Sequence, residues 1–199
     1  MKDTFAAAIL AGGKATRLNS IAKGNLKLKN DTTIIQHLLN ELAKVGCGEI
    51  IIIANDKPQY AVYGVAVVAD VQKELGPVGG IETALTYYLD KYDATIFLPC
   101  DLPAITAMEI ERLKSFYLHH HARVVYAKTK MAHPLCAIVD NFLIEEVSKL
   151  IKTGERKIAN FWEKLNAKAV DFKNEQPFAN INTSTDMENC HNIKHYPKK

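Results

Sequence analysis

Phe5-Ala6-Ala7-Ala8-Ile9-Leu10-Ala11-Gly12-Gly13-Lys14-Ala15-Thr16-Arg17-Leu18-Asn19-Ser20-Ile21-Ala22-Lys23 is an apolar run that breaks into paired glycines and is followed by cations. An apolar run of this kind suits a buried strand. Glycines at its carboxyl end leave bare backbone N–H groups where phosphates can approach closely. The segment is not a P-loop, because the second glycine cluster and the Gly-Lys-Ser/Thr ending are missing, and no strict G-x-G-x-x-G is present. Paired glycines after a strand also serve simply as turns, so the loop alone leaves both readings open.

The pattern continues outward as alternating helix and strand. Ile34, Ile35, Leu38, Leu39, Leu42 and Val45 recur at helical spacing, with Gly46 and Gly48 as stop residues. Glu49 to Ala54 is a β-branched run bounded by Asn55-Asp56, as a strand buried on both faces requires. Further strands are predicted at Val65–Ala69, Ala94–Leu98, Arg123–Ala127 and Leu135–Val139, with a weaker candidate at Leu165–Phe172. Helices are predicted near 81–89, 107–117 and 143–151, the last ended by Gly154. Phe178–Ile181 closes the pattern, and Thr183 or Ser184 can cap a short final helix. The expected fold is α/β, a single-domain, doubly wound, mostly parallel sheet.

With 199 residues there is room for one full core, and two independent domains would be cramped. The expected division is a domain over 1–187 and a polar tail over 188–199. Hydrophobic residues make up 48% and charged residues 24%, which fits a soluble globular chain. No apolar stretch approaches the ~20 residues of a spanning helix, and Met1-Lys2-Asp3-Thr4 runs straight into a strand, so a cytoplasmic protein without membrane contact is expected. A net charge of +3 is too mild to point to nucleic acid. Cys47, Cys100, Cys136 and Cys190 form no C-x-x-C, so free thiols are expected rather than a zinc site or disulfides.

Two carboxylates stand where ligands of open α/β sheets bind. Asp70 ends one apolar run, and Asp101 ends another ahead of Leu102-Pro103. Asp101 suits a Mg²⁺ site built from one or two carboxylates plus phosphates, although a turn or helix-cap aspartate reads the same way. Gly76-Pro77-Val78-Gly79-Gly80 precedes the helix expected at Ile81 and offers backbone donors beside a flat surface suited to a planar base. Asn180 and Asn182 fall on one face of an expected strand, able to bond heteroatoms of a polar ring. His133-Pro134 is expected in a loop within reach of a ligand. His119-His120-His121 at a helix end is explained by favourable placement of cations there.

Leu10-Ala11-Gly12-Gly13, Arg17, Lys23-Gly24, Gly76-Pro77, Leu98-Pro99-Cys100-Asp101-Leu102-Pro103, His133-Pro134-Leu135 and Asn180-Ile181-Asn182-Thr183, taken in order, resemble the molybdenum cofactor guanylyltransferase family. Each motif is weak alone, and their order and spacing over residues 5 to about 187 make the likeness specific. The resemblance implies transfer of GMP from Mg²⁺·GTP to the terminal phosphate of molybdenum-bearing molybdopterin, with release of pyrophosphate. It implies that Leu10, Ala11, Gly12, Gly13 and Lys23 hold GTP, that Asp70 contacts the nucleotide and that Asp101 binds Mg²⁺. It assigns His133, Asn180 and Asn182 to the pterin side, and implies transient contact with cofactor-synthesis proteins and molybdoenzymes. Gly12 together with Gly76-Pro77 resembles the guanylyl rather than the cytidylyl branch.

On physical grounds Arg17 and Lys23 would stabilise phosphate charge, while Gly76, Pro77, Gly79 and Gly80 would meet base or ribose. Two positions depart from the family pattern. Asn19 stands where glycine is usual and can still adopt a left-handed turn. Ala22 stands where an acidic residue or Asn is usual, which leaves the orientation of Lys23 open. Transfer to another acceptor such as a sugar phosphate, use of CTP, and a catalytically idle nucleotide-binding regulatory domain stay open as alternatives.

Overall fold

Strand β1 (Phe5–Leu10) is buried along its whole length and lies in the interior of a seven-stranded sheet. This computed structural model describes residues 4–12, 17–18, 21–70, 75–183 and 186. A two-stranded hairpin of β2 (Arg17–Leu18) and β3 (Ile21–Ala22) follows, pairing Arg17 with Ala22. Then come α1 (Ile34–Lys44), β4 (Ile50–Ile53), β5 (Ala66–Val68), α2 (Pro77–Tyr88), β6 (Ala94–Pro99) and α3 (Ala107–His119). The order closes with β7 (Val124–Lys128), β8 (Ala132–Asp140), α4 (Ile144–Lys152), α5 (Ile158–Lys164) and β9 (Lys168–Asp171).

The strands lie in the order β5-β4-β1-β6-β8-β7-β9. Only β8 among them runs against the rest, being antiparallel to both β6 and β7. From β1 the chain winds one way through β4 to β5, then crosses to β6 on the other side of β1. The carboxyl ends of β1 and β6 therefore flank a topological switch point, the place where such sheets open a crevice. Alternate residues of β1 feed two cores. Ala7 and Ile9 pack with Ile34, Leu38 and Leu42 of α1 and Ile110 and Leu113 of α3. Ala6, Ala8 and Leu10 pack with Ile81 and Leu85 of α2, Val147 of α4 and Trp162 of α5. The small alanines of β1 let helices close on both faces, as double winding demands.

Several local expectations change. Helix α2 begins at Pro77 rather than near Ile81, with Gly76 at its N-cap at φ +62° and proline in the first turn. Gly79 and Gly80 are thus helical and buried. A Cβ at Gly80 would lie 3.0 Å from Leu10 Cδ2 and 3.3 Å from Ile53 Cγ2, so this glycine lets the helix press onto β1 and β4. His133 and Pro134 lie in β8, not in a loop. Pairing with β7 jumps from Ala137 to His133, so Pro134 sits in the irregular stretch between, where its missing donor costs no ladder bond. Helix α5 occupies 158–164, and the expected strand at 165–172 shortens to β9. Asn180 and Asn182 are in a non-strand segment after a tight turn at Gln176–Phe178.

Among the described cysteines Cys100 and Cys136 are buried thiols and Cys47 is half-buried. No described helix is long and apolar enough to cross a membrane. Gly13, Asn19, Ser184, Cys190 and the expected boundary at 187 and 188 lie outside the described residues.

Candidate active site

The carboxyl edge of the parallel strands gathers Gly12, Asp70 and Asp101 from β1, β5 and β6. Leu10 and Ala11 are buried, and the Ala11 N–H donates to Ile53 O at 2.9 Å, so that amide is already committed to the sheet. Gly12 follows directly. A Cβ there would lie 3.4 Å from Asp70 Oδ2, so the bare backbone of Gly12 borders the aspartate.

Asp70 is clamped by Asn55, which in sequence marks only a strand boundary. Asn55 Nδ2 donates to Asp70 Oδ2 at 3.1 Å, and the Asp70 N–H donates to Asn55 Oδ1 at 3.2 Å. The other oxygen, Asp70 Oδ1, is buried without a hydrogen-bond partner and faces the first turn of α2, 3.6 Å from where a Gly80 Cβ would stand. Burial raises the Asp70 pKa, and the Asn55 hydrogen bond offsets part of the rise.

Asp101 has a different setting. Its Oδ2 lies 3.9 Å from Lys23 Nζ, its Oδ1 is buried without a partner, and burial again raises its pKa against the lowering effect of Lys23. Its backbone carbonyl accepts from Ile181 N–H at 3.1 Å, tying the 180–183 segment to the end of β6. Lys23 is only 7% exposed, and Nζ donates to Asn182 Oδ1 at 2.7 Å. The question left by Ala22 is answered by chain far away in sequence: Asn182, 159 residues on, accepts from the ammonium, and Asp101 lies within ionic reach of it. A Cβ at Gly24 would collide with Ile35 Cγ1 at 2.6 Å, so glycine there lets the turn at Lys23–Asn25 lie against α1.

Beyond Asp101 opens a cavity of about 550 Å³ lined by Asp101, His133, Asn180 and Asn182 along with Thr129 and Phe178. The His133 ring stacks on Phe178 at 4.9 Å and is 2.9 Å from Thr129 Oγ1. Burial lowers the His133 pKa while Glu175 raises it in part. The segment bearing the asparagines is itself braced. Asp186 accepts from the N–H groups of Asn182 and Thr183 at 2.8 and 2.7 Å, and its own N–H donates to Thr183 Oγ1 at 3.1 Å. These reciprocal bonds are a capping box, matching the cap expected at Thr183.

Asp101, His133, Asn180 and Asn182 therefore converge on one cavity, with Lys23 held behind it by Asp101 and Asn182, while Gly12, Asp70 and Gly80 form a second corner. The backbone of Arg17 pairs with Ala22, beside Lys23. Gly76 and Pro77 are exposed at the start of α2. The residues missed at sequence level are Asn55, Thr129, Glu175 and Phe178. Only the pairing of an Asn with a strand end could have singled out Asn55. His119 to His121 lie at the end of α3, and among the described residues no group of three or more His, Cys, Asp or Glu is placed to hold a metal.

Gly12, two carboxylates and a buried lysine thus meet at the switch-point crevice of a doubly wound α/β sheet, where ligands of such sheets bind. The chain belongs to the MobA-like NTP transferase family, whose domain matches residues 7–169. It is 33% identical over 192 residues to the molybdenum cofactor guanylyltransferase of Pasteurella multocida, covering 94% of this chain and 100% of that protein. It is 32% identical over 192 residues to the namesake in Haemophilus influenzae, covering 94% and 98%. In fold it resembles molybdopterin-guanine dinucleotide biosynthesis protein A from Archaeoglobus fulgidus, with a TM-score of 0.77 at 22% identity over 94% of this chain and 96% of that one. A CMP:2-keto-3-deoxy-manno-octonic acid synthetase complexed with CTP shares the fold at a TM-score of 0.77 and 12% identity, covering 96% and 98%.

Proposed function

We propose that this enzyme transfers GMP from Mg²⁺·GTP to the terminal phosphate of molybdopterin carrying molybdenum, releasing pyrophosphate. The whole-length likeness to proteins named molybdenum cofactor guanylyltransferase supports the substrates. The observation that carries the chemistry is the Asp101 carboxylate on the wall of the cavity, with Oδ1 buried and unpartnered and Oδ2 3.9 Å from Lys23 Nζ.

In this reading the nucleotide lies along Gly12 and Gly13, with base or ribose toward Asp70 and the start of α2 from Gly76 through Gly80. Asp70 Oδ1 accepts from the nucleotide's hydroxyl or amino groups. Asp101 would supply the protein's carboxylate to Mg²⁺, which would neutralise phosphate charge there. Lys23 and Arg17 stabilise the triphosphate as the pyrophosphate leaves. The pterin side occupies the cavity of His133, Asn180 and Asn182. An oxygen of its phosphate attacks the α-phosphorus in line, forming one P–O bond as the bond to pyrophosphate breaks. That oxygen is already ionised, so no general base is needed, and positioning with charge stabilisation does the work.

The test is pyrophosphate release from GTP with purified molybdopterin cofactor and Mg²⁺, with CTP as competitor and sugar phosphates as alternative acceptors. Release that requires GTP and molybdopterin together is expected. Equal use of CTP would overturn the guanylyl assignment, and release with a sugar phosphate alone would overturn the acceptor.

A further inference from the structure

Asn182 and Lys23 are 159 residues apart in sequence, yet theirs is a close side-chain contact, 2.7 Å from Nζ to Oδ1. Asp101 lies 3.9 Å from the same ammonium, within ionic reach but beyond hydrogen-bond length. The amide carbonyl of Asn182 therefore fixes the direction in which the buried Nζ points. Asn182 is held in its turn by the bond from its N–H to Asp186, and its neighbour Ile181 is bonded to the Asp101 carbonyl. Ala22, directly before the lysine, is buried and offers no polar side chain.

We propose that Asn182 is a positioning residue for Lys23, and that this contact is the energetic link between nucleotide binding and occupation of the cavity. The proposal rests on the guanylyl transfer reading above and adds to it a route of communication. An ammonium has three donors, so Lys23 can keep Asn182 while two protons serve phosphate oxygens. The Asn182 amide has its NH₂ end left for the second substrate. A ligand drawing on that NH₂ polarises the carbonyl that holds Lys23, so each substrate alters the other's affinity by the same factor. A side chain that touched only the second substrate would leave GTP binding alone unchanged.

Two measurements test this with the full chain. The ¹⁵N-edited NMR signal of the Lys23 ammonium, assigned by its loss in Lys23→Arg, reads the contact without any ligand. It is expected to be hydrogen-bonded and slowed in exchange in the wild type and in Asn182→Asp, and lost in Asn182→Ala. Calorimetric titration with Mg²⁺·GTP alone should show about tenfold weaker binding for Asn182→Ala, the order set by one charge-assisted hydrogen bond. Asn180→Ala, which changes the cavity but not the lysine, should bind GTP as the wild type does. Added molybdopterin should change GTP affinity in the wild type and not in Asn182→Ala. No Lys23 signal in the wild type, or wild-type GTP affinity in Asn182→Ala, would overturn the positioning role. A wild type that shows the signal and binds no GTP would overturn the guanylyl reading, and the coupling with it.

Discussion

Asp70 and Asp101 stand at equivalent places, each just past the carboxyl end of a parallel strand, and each keeps one buried oxygen without a partner. What surrounds the other oxygen separates them. Asp70 is held by the neutral amide of Asn55, whereas Asp101 lies 3.9 Å from the buried cation of Lys23 on the wall of a cavity. A carboxylate with a neutral clamp suits hydrogen-bond donors of a nucleoside. One beside a cation, with an oxygen still open, suits a divalent metal shared with phosphates. Identical residues at matching strand ends thus acquire different chemistry from their neighbours, and substitutions should separate the two corners.

The largest effect is expected at Asp101. Asp101→Ala should lower kcat by about a thousandfold, as loss of several kcal/mol of metal-based charge stabilisation implies, with circular dichroism unchanged. Asp101→Asn should retain some turnover but need more Mg²⁺, and turnover with an unaltered Mg²⁺ dependence would remove Asp101 from the metal role. The cations come next. Lys23→Ala should cost about 1.5–3 kcal/mol in kcat/KM for GTP, the range for a hydrogen bond to a charged group. A near-normal Lys23→Ala beside a crippled Arg17→Ala would move that role to the arginine.

Asp70→Asn should raise the KM for GTP and leave the Mg²⁺ dependence alone, the opposite of the Asp101 result. It should also stabilise the fold. Burial raises the Asp70 pKa in the folded state, so its ionised form carries a cost above that pKa which is relieved as pH falls through it. The gain in melting temperature for Asp70→Asn should therefore be full at neutral pH and shrink in acid. An equal gain at every pH would contradict the burial argument. The same reasoning places the acid limb of wild-type activity above the ordinary aspartate range, because burial raises Asp101 as well. Added Mg²⁺ should move that limb to lower pH.

The smallest structural disturbance is Gly12→Ala, whose methyl would only touch Asp70 Oδ2 at 3.4 Å. The fold should tolerate it. Competition between GTP and CTP should show the preference for GTP narrowed through loss of GTP activity. An unchanged preference would remove Gly12 from base selection.

The central strands were legible because Phe5 to Leu10 and Ile50 to Ile53 are apolar on both faces, a pattern only a covered sheet accepts. The aspartates were legible by position alone. Helix α5 was not, since seven residues starting without a side-chain cap give too little periodicity to separate from a strand rich in aromatics. The start of α2 was obscured by Gly79 and Gly80, which local propensity disfavours and close packing on Leu10 and Ile53 requires. The His133-Pro134 stretch reads as a loop in sequence but lies in β8, where pairing around Pro134 is irregular and its carbonyl accepts from Trp162 Nε1 at 2.6 Å. Asn182 could be picked out as polar and out of place. That it reaches Lys23 is a long-range contact no local pattern encodes.

The division of labour between the two aspartates is tested most directly by the anomalous difference map of crystals grown with Mn²⁺·GTP, manganese standing in for magnesium. The account predicts a peak within about 2.3 Å of an Asp101 carboxylate oxygen and none at Asp70, near the bond lengths of hard cations to oxygen. A peak coordinated by Asp70, with Asp101 left to Lys23 alone, would contradict it.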